Sequence, residues 1–222
     1  MPRRLGRSFF ARHVLLVAPQ LLGCTLSHGG VTVRITETEA YDGYRIDPGS
    51  HTFRGETPRN APVFGRAGVT YVYLTYGMHW MLCLVTGSVG DASAVLVRAG
   101  EVIAGHGIAA ARRPEAPEWD WCRGPAKLAT TLGLTGAHTA LDFCAPSAGL
   151  RSPGVIDLQL RAAAAPLDPA DIRTGPRVGV SGPGGDGTAY PWRFFLHGER
   201  TVSPYRPGKV RVRPLPPHRA GP

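Results

Sequence analysis

The sequence predicts an α+β domain with a largely antiparallel sheet, and three observations carry that expectation. The run VTVRITETEAY (31–41) alternates apolar and polar side chains as a strand does. The stretch GVTYVYLTYGMHWMLCLVTG (68–87) reads as two strands folded back near Tyr76-Gly77, a connection that makes the pair antiparallel. Helical signals are confined to two short segments elsewhere.

Taken in chain order, residues 14–22 are expected to form a short helix stopped at Gly23, with Pro19 tolerable only in its first turn. The strand 31–41 follows. Residues 42–68 are rich in Gly, Pro, Asp and Arg without sustained periodicity. They form a long loop, and a loop of that length in a compact domain is usually functional. After the hairpin, ASAVLVR (92–98) is expected to be a buried strand. GPAKLATTLGL (124–134) has a proline where a helix begins, Leu128 and Leu132 four apart, and Gly133 as a stop. Further strands are expected at 155–161, 176–181, 192–197 and 209–213. GVSGPGGDG (179–187) lacks a Walker lysine and does not open a helix, so it reads as a turn. No repeat or linker divides the chain. The expected organisation is one domain over 1–205, followed by a basic, proline-rich segment, 206–222, that ends as a loose tail.

Composition narrows the function. The chain has 222 residues, 43% of them hydrophobic, which suits a globular domain. Its formal charge of +9 points to a polyanionic partner, with nucleic acid as the first expectation. Lys127 and Lys209 are the only lysines, so the cationic surface is arginine, the side chain suited to bidentate phosphate contacts. Cys24, Cys83, Cys122 and Cys144 show no CxxC spacing, which argues against a zinc site or a disulfide framework and for a reducing, cytoplasmic setting. The N-terminal apolar run is interrupted by Arg12 and His13 and reads as a folded segment rather than a leader. No apolar stretch reaches the ~18 residues of a membrane span.

Strict alternation along 31–41 places Val31, Val33 and Ile35 on one face, and continues that face with Glu37, Glu39 and Tyr41. Two carboxylates about 6.6 Å apart repel by roughly 2–3 kcal/mol at an effective dielectric of 20. Cations, hydrogen bonds or protonation must relieve them. Either the strand leaves the core at residue 36, or it ends in a cleft where one glutamate serves as a general base with Tyr41 as a flat wall beside it. In the hairpin, Tyr71 and Tyr73 share a face while Tyr76 stands at the turn, where an exposed ring is a candidate wedge. Arginine-rich loops, a wedge and an acidic aromatic pocket together suggest an enzyme that extrudes a base from a duplex.

The runs RITETEAYDG, SHTFRG, TPRN, YVYLTYGMHW, VLVRAGE, GPAKL and RVGV occur in the order found in one family. Over about Arg4 to Val202 the chain resembles the alkyladenine (3-methyladenine) DNA glycosylases of the animal and bacterial AAG/MPG type. That resemblance implies a single-domain fold with a curved sheet, surrounding helices and a protruding hairpin that intercalates into DNA. It implies that Glu39 is the general base activating the water that attacks C1′, that Arg98 helps hold that water, and that the Val178 backbone carbonyl assists. It further implies that Tyr41, His51 and Tyr73 sandwich the flipped base, that Cys83 lies at the pocket floor, and that Tyr76 fills the vacated stack. Thr57, Arg59, Met78 and Lys127 are carried over as DNA-backbone contacts, and Glu37 as a structural neighbour of the base.

The implied reaction is monofunctional: water hydrolyses the N-glycosidic bond of an alkylated purine in double-stranded DNA and leaves an abasic site. It needs no metal and no cofactor. The implied protein works as a monomer without an obligate protein partner and without a membrane. An oxocarbenium-like sugar is stabilised by a nearby carboxylate, and a cationic purine gains about 0.5–2 kcal/mol from aromatic walls. Three departures stand out. Cys83 replaces the family's usual asparagine, the Tyr41–His51 loop is one residue longer than in the animal enzymes, and Arg123 stands where a small residue is common. Two other readings remain open on the residues: a nucleic-acid-binding module that has lost the chemistry, and a carbohydrate glycosidase using Glu37 and Glu39. Side chains projecting in parallel cannot flank a bond from opposite faces, which weighs against the glycosidase.

Overall fold

A computed structural model describes residues 2–145, 154 and 156–208. Two short helices open the chain, α1 (Arg7–Phe10) and α2 (Val14–Gln20). The His13 side chain accepts the amide of Leu15 at the start of α2, and Val14, Val17 and Ala18 are buried. Pro19 lies in the last turn of α2 rather than the first. In a helix this short, the one backbone bond that the proline removes falls where the helix is already ending at Gly23 (φ 74°).

The sheet then builds from β1 (Thr25–His28), β2 (Val31–Tyr41), β3 (Thr70–Thr75), β4 (His79–Thr86) and β5 (Ser93–Ala104), followed by helices α3 (His106–Arg112) and α4 (Pro125–Leu132). Strands β6 (Gln159–Arg161), β7 (Ile172–Gly175) and β8 (Arg193–Leu196) complete it. The strand order is β3-β4-β5-β2-β1-β6, with β8 pairing β2 and β7 pairing β8, and every pairing is antiparallel. The fold is α+β, as expected. Helix α4 follows its sequence signals: Pro125 opens it, Gly133 (φ 70°) closes it, and Leu128, Ala129 and Leu132 are buried.

Three expectations change. Strand β5 runs past residue 98 to Ala104, and Gly29 and Gly30 turn β1 onto β2. No strand covers 176–181; the strand lies at 172–175, and the RVGV stretch is a loop held by side-chain bonds. Of 155–161, only Gln159–Arg161 is strand, and 209–213 lies outside the described residues.

The largest correction concerns the phase of β2. Register shifts fall between Ile35 and Glu37 and between Glu37 and Thr38, so Thr36 on β2 and Arg98 on β5 are extra residues in the ladder. Val31, Val33 and Ile35 join the main core, and beyond the bulge it is Ala40 that belongs to that core, while the Thr38 hydroxyl donates to the Ala18 carbonyl in α2. Glu37, Glu39 and Tyr41 are therefore turned to the opposite face. The core-facing side does not end in carboxylates, because the bulge swaps the faces first. Along β4 and β5, Leu82, Leu84, Val95 and Val97 join the main core. Cys83, Val85, Ala94 and Leu96 form a smaller apolar cluster on the other side with Tyr71 and Val63.

Candidate active site

The face to which the bulge turns Glu37 and Glu39 is an ionic floor. Both glutamates are fully buried, and Arg98 and Arg193 are 6% and 5% exposed, so the two negative charges meet two positive ones out of water. Glu37 accepts from Arg98 Nε (3.2 Å), Arg193 Nε (2.6 Å) and the Ser203 amide (2.8 Å). Glu39 accepts from the Val178 amide (2.7 Å), the Tyr41 hydroxyl (2.8 Å) and Arg98 Nη1 (3.2 Å). Arg98, projected by its bulge, thus bridges the two carboxylates and relieves the repulsion their spacing implies. Glu37 spends its acceptors on structure. Glu39 is held by the groups that border the cavity.

That cavity measures about 560 Å³ and is lined by Tyr41, His51, Tyr71, Tyr73, Cys83, Arg98 and Val178, among others. It is large enough for a purine-sized ligand. His51 and Tyr73 meet edge-to-face at 4.8 Å, and Tyr73 stacks on Tyr71 at 5.0 Å. Desolvation of the ring, helped by the nearby Arg59, lowers the His51 pKa and so favours the neutral form. Burial likewise pushes the Tyr41 and Tyr73 phenols well up and the Tyr71 phenol to about 12. Cys83, opposite Tyr71 in the β3–β4 ladder, is 5% exposed, and burial raises its thiol far above the usual range. The walls are therefore uncharged π-surfaces over a neutral sulfur floor.

Glu39 itself does not line the cavity. Tyr41, Arg98 and Val178 stand between it and the open volume, and Val178 meets it with the amide N–H rather than the carbonyl. The other expected residues fall around the mouth. Tyr76 is 79% exposed and Met78 69% exposed at the β3–β4 turn. Tyr76 (φ 50°) and Gly77 (φ 72°) both take left-handed backbone, with the Met78 amide closing on the Thr75 carbonyl. That is the turn geometry favoured between two strands, but a tyrosine adopts it at a cost of about 1–2 kcal/mol. Such strain at an exposed tip is a functional signal.

Thr57 and Arg59 are exposed on the TPRN turn, where Asn60 Nδ2 donates to the His51 carbonyl (2.9 Å). Arg59 donates to the Leu74 carbonyl (2.7 Å) and lies over the Tyr73 ring. Lys127, at the start of α4, binds both oxygens of Asp120 (2.7 and 2.6 Å). Arg123 lines the cavity and packs over Trp119. The sequence reading missed Tyr71, Arg193, Ser203 and Asn60. Two of them had a sequence signal: Tyr71 its shared face with Tyr73, and Asn60 its place in the TPRN run. Among the described residues, no group of three or more His, Cys, Asp or Glu could hold a metal ion.

Residues 8–200 match the methylpurine-DNA glycosylase family. Similar curated proteins carry the assigned name 3-methyladenine DNA glycosylase. One from Streptomyces avermitilis is 48% identical over 214 residues, covering 94% of this chain and 95% of its own length. One from Frankia casuarinae is 46% identical (91% and 93% covered), and one from Burkholderia lata is 44% identical (90% and 90%). The chain belongs to the methylpurine-DNA glycosylase family.

Proposed function

We propose that the protein flips alkylated purines, such as 3-methyladenine and 7-methylguanine, out of duplex DNA and hydrolyses their N-glycosidic bond with water. Family membership makes it a DNA glycosylase, a hydrolase of N-glycosyl bonds. The observation that carries the finer reading is a buried carboxylate, Glu39, anchored by Arg98 and the Val178 amide directly behind an aromatic-walled cavity.

In this mechanism Tyr41, His51 and Tyr73 grip the extruded base, and their neutral rings favour a purine that carries positive charge. Water takes the place of the Tyr41 hydroxyl on Glu39, the carboxylate removes its proton, and Arg98 and the Val178 carbonyl orient it toward C1′. As the bond breaks, the charge of Glu39 stabilises the oxocarbenium-like sugar, and the alkylated base leaves as a neutral molecule. Tyr76, with Met78 beside it, fills the space left in the stack. Thr57, Arg59 and Lys127 serve the DNA backbone around the mouth. Lys127 is engaged by both carboxylate oxygens of Asp120, and no lysine matches a Schiff-base nucleophile, so the product is an intact strand with an abasic site.

Cys83 sets the range. Cysteine is small and makes weak hydrogen-bonding demands, so the floor tolerates the 2-amino group of guanine. Residues 1–205 carry this activity as one monomeric domain in the cytoplasm, with 206–222 as a basic appendage. The test is a panel of duplexes, each with one lesion, assayed for released base. Release of 3-methyladenine and 7-methylguanine with an unbroken strand is expected. No release from any lesion contradicts the reading.

A further inference from the structure

Beside the ionic floor lies a second buried ion pair that the reaction as described does not use. Arg177 is 1% exposed and Asp47 fully buried. Two guanidinium nitrogens meet the two carboxylate oxygens, the closer pair at 2.5 Å and the other at 2.7 Å. The same fork donates to the Ala40 carbonyl (3.0 Å) and the Gly184 carbonyl (2.7 Å), and it lies over the Tyr41 ring at 4.6 Å from the centroid. Asp47 in turn accepts the amides of Asp42 (3.1 Å) and Gly49 (2.8 Å).

These contacts join three separate chain segments. The end of β2 supplies Glu39 and Tyr41. The loop after it, tied down through Asp47, carries His51. The 176–187 loop carries Val178, the immediate neighbour of Arg177, whose amide bonds Glu39. The GVSGPGGDG stretch, which reads as a plain turn in the sequence, closes this arrangement. Any side chain at Gly184 would run into the Gly49 backbone at 2.2 Å, and one at Gly49 would meet Arg177 at 2.5 Å. Two glycines let the loops meet backbone to backbone around the guanidinium.

We propose that Arg177, paired with Asp47, is a positioning residue for excision: it locks the Tyr41 wall, the His51 loop and the Val178 amide into one frame around Glu39. This rests on the proposed function. Arg177 does not line the cavity. It also leaves its Nε buried without a partner, a cost that an apolar filler would avoid, which points to geometry and charge as its contribution.

Charge gives a readout that packing alone does not. Glu39 is faced by Tyr41 and, through Arg98, by Glu37 on β2. Tyr73 on β3, Cys83 on β4 and Arg98 on β5 also face it, Arg193 on β8 neutralises Glu37, and Arg177 completes the ring. With Asp47 ionised, Arg177 adds no net charge to this group. Asp47→Asn keeps the shape and leaves the guanidinium uncompensated beside Glu39. A positive charge favours the carboxylate form, so the acid limb of the pH–rate profile moves to lower pH, by about one unit.

The experiment measures single-turnover excision of 3-methyladenine from a duplex across pH for wild type, Asp47→Asn, Arg177→Lys and Gly184→Ala, with lesion-free duplex binding and thermal melting alongside. Asp47→Asn is expected to excise about tenfold to a hundredfold more slowly, with its acid limb shifted down and lesion-free binding within about twofold of wild type. Arg177→Lys keeps the charge but loses the fork, so its rate falls while its acid limb stays. Gly184→Ala leaves the pair whole and separates the loops, and slows excision without moving the limb. An Asp47→Asn enzyme with wild-type rate and an unmoved limb overturns the proposal. So does failure of both Asp47→Asn and Gly184→Ala to fold, which makes the pair a folding element. If wild type itself releases no base, the proposed function fails instead.

Discussion

The ionic cluster behind the pocket and the tip of the hairpin are built on opposite terms. In the cluster, Glu37, Glu39, Arg98 and Arg193 are all nearly inaccessible, and each carboxylate oxygen has a fixed donor. At the tip, Tyr76 and Met78 are more than two-thirds exposed, and Tyr76 holds strained backbone. Bond cleavage needs a carboxylate whose position does not wander, because misplacement by about 1 Å costs on the order of a hundredfold in rate. Insertion into a duplex needs a ring that reaches outward and is not already packed. One strand pair, β3 and β4, carries both: Tyr73 and Cys83 line the pocket, and Tyr76, at the turn, borders the same cavity. On the proposed function, chemistry and extrusion should be removable one at a time.

The largest effect is expected within the cluster. Glu39→Gln should cut base excision by about 10²–10⁴-fold while leaving lesion-duplex binding largely intact, since it removes the proton acceptor but not the walls. Glu37→Gln should lose less activity and more stability. It strips a carboxylate from Arg98 and Arg193, a change worth about 3–5 kcal/mol for a buried pair, or roughly 10 °C in melting temperature. Single-turnover rates and melting curves of both variants check this, and a reversed order of activity loss breaks the assignment of roles.

At the tip, Tyr76→Ala should slow excision from well-paired duplex by about tenfold to a hundredfold, because the unstacking cost of a few kcal/mol is no longer offset. The smallest effect falls between the two regions, at Cys83. Installing the amide by Cys83→Asn should lower the ratio of 7-methylguanine to 3-methyladenine excision by about tenfold, the size of one unfavourable pocket contact. An unchanged ratio means that a neighbouring side chain already fills the space and that the floor does not set the range.

Much of the fold was legible because its signals are local. Alternation gave β2 its limits at 31 and 41, the Tyr76-Gly77 turn gave the hairpin, and Pro125 and Gly133 marked α4. What the sequence hid depends on pairing. The bulge at Thr36 reverses the faces of β2, yet nothing in ITETE marks it, since the extra residue is defined only against Ala99 and Gly100 on β5. The RVGV stretch looks like a strand by its valines, but Arg177 and Val178 are fixed by bonds to Asp47 and Glu39, more than 120 residues away in the chain. Alternation along 31–41 raised Glu39 and Tyr41 as candidates, and the family resemblance assigned their roles and added Arg98 and Cys83. Arg193, Ser203 and, despite its place in the TPRN run, Asn60 were missed, because each supports the site only through contacts made on folding.

The separation of chemistry from extrusion is tested most directly by placing one 3-methyladenine in a duplex and in the same sequence as a single strand. Single-turnover excision is then measured with wild type, Glu39→Gln and Tyr76→Ala. The account predicts that Glu39→Gln is slowed by about a hundredfold or more on both substrates, whereas Tyr76→Ala is slow on the duplex and close to wild type on the single strand. Equal slowing of Tyr76→Ala on both, or near-wild-type release by Glu39→Gln on the single strand, would contradict it.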